Sequence, residues 1–129
     1  MDEFNGVFLA PGVMVTGEVH LSEGCNLWFG VIARGDVSTI TLHKNVNIQD
    51  GSILHTDFDI PLVIEEGVVA GHGVILHGSR VGAGTLVGIG ARLLGRSEIG
   101  AESIIAAGSI VTERTVIPPR SLVMGIPGK

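Results

Sequence analysis

Aliphatic residues recur at every sixth position through the second half of the chain: Val63, Val69, Ile75, Val81, Val87, Leu93, Ile99, Ile105, Val111, Ile117 and Val123. Four residues after each comes a small one (Gly67, Gly73, Ser79, Thr85, Ala91, Ser97, Ser103, Ser109, Thr115, Ser121), and Pro127 alone breaks the rule. The same frame runs through Leu9, Val15, Leu21, Leu27 and Ala33. It resumes after a three-residue insertion at Leu42, Ile48 and Leu54, and a second insertion of three, within Asp57-Phe58-Asp59-Ile60-Pro61, leads into Val63. In this half the second inward slot holds Val13, Val19, Cys25, Val31 and Val37. A period of six excludes an amphipathic helix, whose apolar stripe repeats at about 3.6 residues. It also excludes a hairpin sheet, with turn signals roughly every 8–12 residues. The pattern predicts an all-β parallel solenoid in which each hexapeptide forms one flat side, the aliphatic residue points inward and the small residue turns the corner.

Three such hexapeptides per coil resemble the left-handed parallel β-helix. Its handedness, an exception to the right-handed crossover preference, follows from that resemblance and not from the spacing. Residues 1–129 then form a single domain, a triangular solenoid of about six coils and roughly 29 Å tall at the usual strand spacing. Its stability comes from stacked neighbouring coils. The end coils are exposed sheet edges that need protection, and Glu113, Arg114, Pro118, Pro119 and Arg120 supply charge and proline at the C-terminal end.

Composition supports this reading. The chain has 20 glycines, 45% apolar residues, only 4% aromatics and no tyrosine, so Val, Ile and Leu must fill the core, as in strands. A net charge of −5 and a pI near 5.4 argue against nucleic acid as a partner, which needs a basic patch. No apolar run approaches the roughly 18 residues of a membrane span, so no membrane association is expected. The N-terminus shows no basic region followed by an apolar one. One cysteine, Cys25, precludes an internal disulfide and reads as a small buried hydrophobe. The expected location is cytoplasmic.

Three of the five histidines fall within 23 residues: His55, His72 and His77. On the six-residue frame His55 is the second residue of side two in one coil, and His77 the third residue of side two in the next. One rung and one residue of offset put their α-carbons roughly 6 Å apart, close enough for two imidazoles to share a metal. His72 lies around a corner on side one, up to about 16 Å from His77 along the chain. If all three are ligands, a second copy must supply His72, and a three-fold ring with three equivalent sites closes most simply. Arg34 falls directly beneath His55, and Gln49 and Asp50 lie on side one of the coil that holds His55. His20 and His43 read as solvated surface residues.

Arg34-Gly35-Asp36, Asn47-Ile48-Gln49-Asp50-Gly51-Ser52-Ile53-Leu54-His55 and Gly71-His72-Gly73-Val74-Ile75-Leu76-His77-Gly78 resemble the signature of the gamma-class carbonic anhydrases. The terminal Gly125-Ile126-Pro127-Gly128-Lys129 is close to the Gly-x-Pro-Ala-Lys that ends the solenoid there and in many hexapeptide acyltransferases. The resemblance implies a homotrimer that binds Zn2+, with Fe2+ or Co2+ as alternatives, at each interface through His55 and His77 of one subunit and His72 of its neighbour. It further implies hydration of CO2 to bicarbonate by a metal-bound hydroxide. Gln49 would hydrogen-bond the metal-bound water, and Arg34 would pair across the interface with Asp36 or Asp50 near bicarbonate.

The chain also departs from that family's best-known pattern. Val37 stands where a glutamate follows the aspartate. The acidic shuttle loop is reduced to Thr56-Asp57-Phe58-Asp59-Ile60-Pro61, in which Asp57 or Asp59 is a candidate substitute. The family's C-terminal helix is lacking in this sequence. Two other readings therefore stand beside carbonic anhydrase: a hexapeptide-family acyltransferase or thioesterase, and a catalytically weak metal-binding scaffold subunit. Arg34, Asp36 and Asp50 read equally as interface salt bridges, and Gln49 as a cap on its rung.

Overall fold

A computed structural model describes residues 2–129, with side chains from residue 5 onward. Strands and turns make up the described chain, with no helix among the described residues. It is a left-handed triangular β-helix. Face one stacks β1 (Asp2–Phe4), β2 (Val7–Leu9), β4 (Asn26–Leu27), β6 (Asn47–Ile48), β9 (Val69–Ala70), β12 (Leu86–Val87), β15 (Ile104–Ile105) and β18 (Leu122–Val123). Two long strands, β3 (Met14–Leu21) and β5 (Ile32–Leu42), bend around a corner and serve both other faces. Face two continues from their first halves with β7 (Ile53–Leu54), β10 (Ile75–Leu76), β13 (Arg92–Leu93) and β16 (Ile110–Val111). Face three continues from their second halves with β8 (Leu62–Ile64), β11 (Arg80–Val81), β14 (Glu98–Ile99) and β17 (Val116–Ile117). About six coils result, as the spacing predicts, with β18 opening a further one.

Columns of aliphatic side chains fill the prism. Leu27, Ile48, Ala70, Val87, Ile105 and Val123 stack behind face one, and Ala33, Leu54, Leu76, Leu93 and Val111 behind face two. All are buried, and Cys25 fills its expected inward slot at 0% exposure.

The structure corrects the frame between the second insertion and residue 80. The inward residues there are Ile64, Ala70 and Leu76, while Val63, Val69 and Ile75 face outward and are half-buried. Leu54 to Ile64 takes ten residues, one more than the spacing predicts, and Leu76 to Val81 takes five, which restores the original register. Adjacent aliphatic pairs (Val63-Ile64, Val69-Ala70, Ile75-Leu76) make either frame look hydrophobic. Backbone conformation decides between them. Most second inward slots are preceded by a residue in the left-handed region, as Gly24 precedes Cys25 and Gly84 precedes Thr85. Gly67 (φ 72°) and Gly73 (φ 64°) are such turn residues, conformations that glycine adopts without strain. The slots belong to the buried Val68 and Val74.

The first insertion lies at 36–39: Gly17 pairs with Gly35 but Val19 with Ile40, so four residues bulge opposite Glu18. Val37, expected inward, rides this bulge and is exposed. Val15, also expected inward, lies on the edge strand and is exposed as well.

Both ends of the prism are partly covered. β1 pairs antiparallel with β2. The last residues fold back, with Gly128 N donating to Ile110 O (2.7 Å) and Met124 and Lys129 exchanging backbone bonds. Glu113, Arg114, Pro118, Pro119 and Arg120 are largely exposed at this end, as the need to block edge pairing predicts.

Candidate metal centre

His55 and His77 each follow an inward leucine, Leu54 and Leu76, and those leucines are direct ladder partners where β7 pairs with β10. The two histidines therefore occupy one register on consecutive rungs, without the one-residue offset that the uncorrected frame implies. Their ring centroids lie 5.2 Å apart at 85°. Backbone bonds hold both positions: His55 N donates to Leu76 O (3.1 Å) and His77 N to Leu93 O (2.9 Å). Ala33 pairs with Leu54, so Arg34 stands directly beneath His55, as expected.

Each insertion carries an aspartate onto this column. The 36–39 bulge places Asp36 so that Oδ1 lies 3.0 Å from His55 Nε2, while Oδ2 accepts from Arg34 Nη2 (2.9 Å) and Nε (3.3 Å). In the single chain, then, Arg34 pairs with its own Asp36. The Arg34 hydrogen bond above all, with the His55 contact adding, holds the Asp36 carboxyl below the usual carboxylate range. The 57–61 loop places Asp57 Oδ1 at 2.9 Å from His77 Nε2. Asp57 lies against Gly95, where a Cβ would stand 2.6 Å from Asp57 Oδ2. Asp59, the other candidate shuttle acid, lines a cleft with Glu18 and Asp36.

His72 belongs to a second cluster, at the corner between faces one and two. Ile48 pairs with Ala70, so His72 stands one rung from Asp50, with Nδ1 at 3.8 Å from Asp50 Oδ1. A shallow cleft of ≈ 350 Å³ there is lined by Trp28, Asn47, Gln49, Asp50 and His72. The candidate residues thus divide: Arg34, Asp36, His55 and His77 at one corner, and Gln49, Asp50 and His72 at the next. Among the described residues, no three His, Cys, Asp or Glu side chains of the one chain are grouped to hold a metal ion.

The donor types nevertheless suit a borderline cation. Two imidazoles on adjacent rungs offer nitrogen ligands of the kind zinc takes, and the set is one ligand short. Sequence reasoning assigned no role to Trp28 and Asn47, which line the cleft with Gln49 and His72, or to Asn26, which bonds to both of them. A detectable signal existed in the pairs Asn26/Trp28 and Asn47/Gln49, both spaced by two and lying one coil apart.

No protein-family model matches the chain. It is 49% identical over 122 residues to a carbonic anhydrase of Geobacillus kaustophilus, covering 95% of this chain and 67% of that protein. It is 42% identical over 123 residues to a Methanocaldococcus jannaschii protein named as a carbonic anhydrase by inference, covering 95% and 77%. Gamma carbonic anhydrase 1 of Arabidopsis thaliana mitochondria is 39% identical over 93 residues, 67% of this chain and 34% of that protein. Among solved structures, the Bacillus cereus BC4754 gene product, which carries a provisional acetyltransferase assignment, superposes with a TM-score of 0.95 at 39% identity, covering 98% of this chain and 73% of that one. The identities over nearly the whole chain, the hexapeptide coils and the ordered Arg-x-Asp, Gln-Asp and three-histidine set lead to one conclusion: the chain belongs to the gamma-class carbonic anhydrase family of hexapeptide-repeat proteins.

Proposed function

We propose that the chain forms a homotrimeric gamma-class carbonic anhydrase that interconverts CO2 and bicarbonate at divalent-metal sites shared between subunits. The observation that carries this reading is the stacked His55–His77 pair on consecutive rungs, with His72 held at a different corner of the same chain. His55 and His77 of one copy and His72 of another would hold the ion, Zn2+ by donor type, with Fe2+ or Co2+ also suited. Bound there, such a cation supplies the Lewis acidity that activates water near neutral pH.

The chain's own groups have definable tasks. Asp50 faces His72 Nδ1, which leaves Nε2 as the nitrogen directed to a neighbouring copy, the usual way a carboxylate orients a ligating imidazole. Asp36 and Asp57 lie on the His55 and His77 Nε2 atoms and must yield them for ligation. Freed from that contact, Asp57 is the acid nearest the stacked pair on the loop after His55 and is the candidate to accept a proton. Gln49 would bond the reacting water, and Arg34 would hold bicarbonate by charge.

Subunit complementation tests the shared site. His72→Ala and His55→Ala are each expected to lose metal and activity. Co-refolded mixtures should recover part of both, because an interface between the two variants can still join an intact His55–His77 pair to an intact His72. No recovery, or a wild-type trimer free of metal, would rule the reading out. A metal-loaded trimer without CO2 hydration would favour the scaffold reading. Acyl transfer is the second reading, favoured by the superposition on the Bacillus cereus protein. It needs a single histidine base and leaves the stacked His55–His77 pair unexplained, so acyl-CoA turnover that survives metal removal would establish it.

A further inference from the structure

Gln49 does not stand alone. Trp28 Nε1 donates to Asn26 Oδ1 (3.0 Å), Asn26 Nδ2 donates to the Gly24 carbonyl (3.1 Å), Asn47 Nδ2 donates to the same Asn26 Oδ1, and Gln49 Nε2 donates to Asn47 Oδ1 (2.9 Å). Asn26 and Asn47 are partners on consecutive rungs of face one, and Trp28 and Gln49 each fold back onto the residue two before them.

The order of donors and acceptors is chemically forced. An amide can flip, exchanging its oxygen for its nitrogen. An indole N–H can only donate, and a backbone carbonyl can only accept. Between these two, Asn26 has one orientation that satisfies both contacts. Its oxygen then requires the Asn47 nitrogen, and the Asn47 oxygen requires the Gln49 nitrogen. The Gln49 carbonyl Oε1 is left as the terminal acceptor. Above Asn47 the column continues with Val69, and above Gln49 with Gly71, so no side-chain amide extends the chain of bonds.

We propose that Trp28 and Asn26 are positioning residues that set the polarity of the Asn47–Gln49 pair, so that Gln49 offers an acceptor to the His72 cleft. The cleft is thereby selective for a ligand that brings an O–H, water or bicarbonate through its hydroxyl, over one that presents only bare anionic oxygen. This rests on the proposed function for its ligand, but the orientation of the amides can be measured without turnover.

The test is nitrogen-15 NMR of the side-chain amides in the metal-loaded trimer, with the Gln49 signal assigned by its loss in Gln49→Glu, alongside CO2-hydration kinetics. Asn26→Leu is expected to abolish the hydrogen-bonded, slowly exchanging Gln49 Nε2 proton and to lower kcat about tenfold, the worth of one positioned hydrogen bond, with metal content unchanged. Asn26→Asp keeps the acceptor toward Trp28 and Asn47 but loses the donor to the Gly24 carbonyl, so it is expected to recover only part of both. If Asn26→Leu does not fold, Asn26→Ala removes the same acceptor without added bulk and is read the same way. Trp28→Phe is expected to give an intermediate effect, since the Gly24 carbonyl still holds Asn26; no effect removes Trp28 from the proposal. An unchanged Gln49 amide in Asn26→Leu overturns it. Wild-type hydration by Gln49→Ala would instead defeat the catalytic role given to Gln49, with the spectra still deciding the polarity.

Discussion

Single side chains carry the register. Leu76 is fully buried and Ile75, its neighbour, faces outward, though the two are nearly equal in hydrophobicity. Leu76→Ala should destabilise the protein by about 2–5 kcal/mol through lost burial and a residual cavity, and Ile75→Ala by roughly half that or less, measured by denaturant unfolding. The opposite order would restore the uncorrected frame. Asp36 makes a second case. Arg34 lowers its pKa in the folded chain, so the folded state binds this proton less readily than the unfolded one. The contribution is therefore present above the ordinary carboxylate value of about 4 and lost as pH falls through the lower folded value. The stability difference between wild type and Asp36→Asn should shrink as pH falls below about 4. Because the carboxylate is exposed, the effect is small. Burial pushes the Cys25 thiol up, so it should resist alkylation in the native protein and react on unfolding.

Short rungs and their interruptions act at the scale of elements. The regular coil places aliphatic stacks and small buried residues such as Ser52, Thr85 and Ser103 inside, and turn residues at corners. The two insertions add the acids, each setting an aspartate on a histidine. The bulge at 36–39 depends on a close approach of β3 and β5: a Cβ at Gly35 would overlap the Glu18 carbonyl. Gly35→Ala should therefore loosen the bulge, break the Arg34–Asp36–His55 contacts and lower Tm by several degrees, about 3–5 °C per kcal/mol for a chain of this size. An unchanged melt with an intact Arg34–Asp36 pair would refute that account.

At the scale of the molecule, metal and assembly are coupled under the proposed function. An ion held by ligands from two subunits binds only the assembled state, so it stabilises the oligomer by mass action. Chelation should lower Tm and shift the oligomer toward smaller species at low protein concentration, and restoring Zn2+ should reverse both. Chelation that removes the metal but leaves the concentration dependence of assembly unchanged would separate the two.

The sequence by itself determined the parallel solenoid and named the candidate site residues, while the three faces of each coil, and with them the coil number, came with the family resemblance. A six-residue repeat is local information, and Val, Ile and Leu at that period have only one economical way to be buried. It also placed Arg34 under His55 and separated His72 from His77, since both follow from counting. It did not settle the frame between the second insertion and residue 80, because adjacent aliphatic residues satisfy the hydrophobic pattern in either register. Backbone conformation at Gly67 and Gly73 and ladder pairing of Leu76 with Leu54 and Leu93 made that choice. Tertiary structure alone revealed which acid meets which histidine, and the bonded order from Trp28 to Gln49. The acid–histidine contacts and the Asn26–Asn47 bond join residues 19 to 21 apart in the chain, and the direction of the amide bonds depends on which atoms donate, which no spacing encodes.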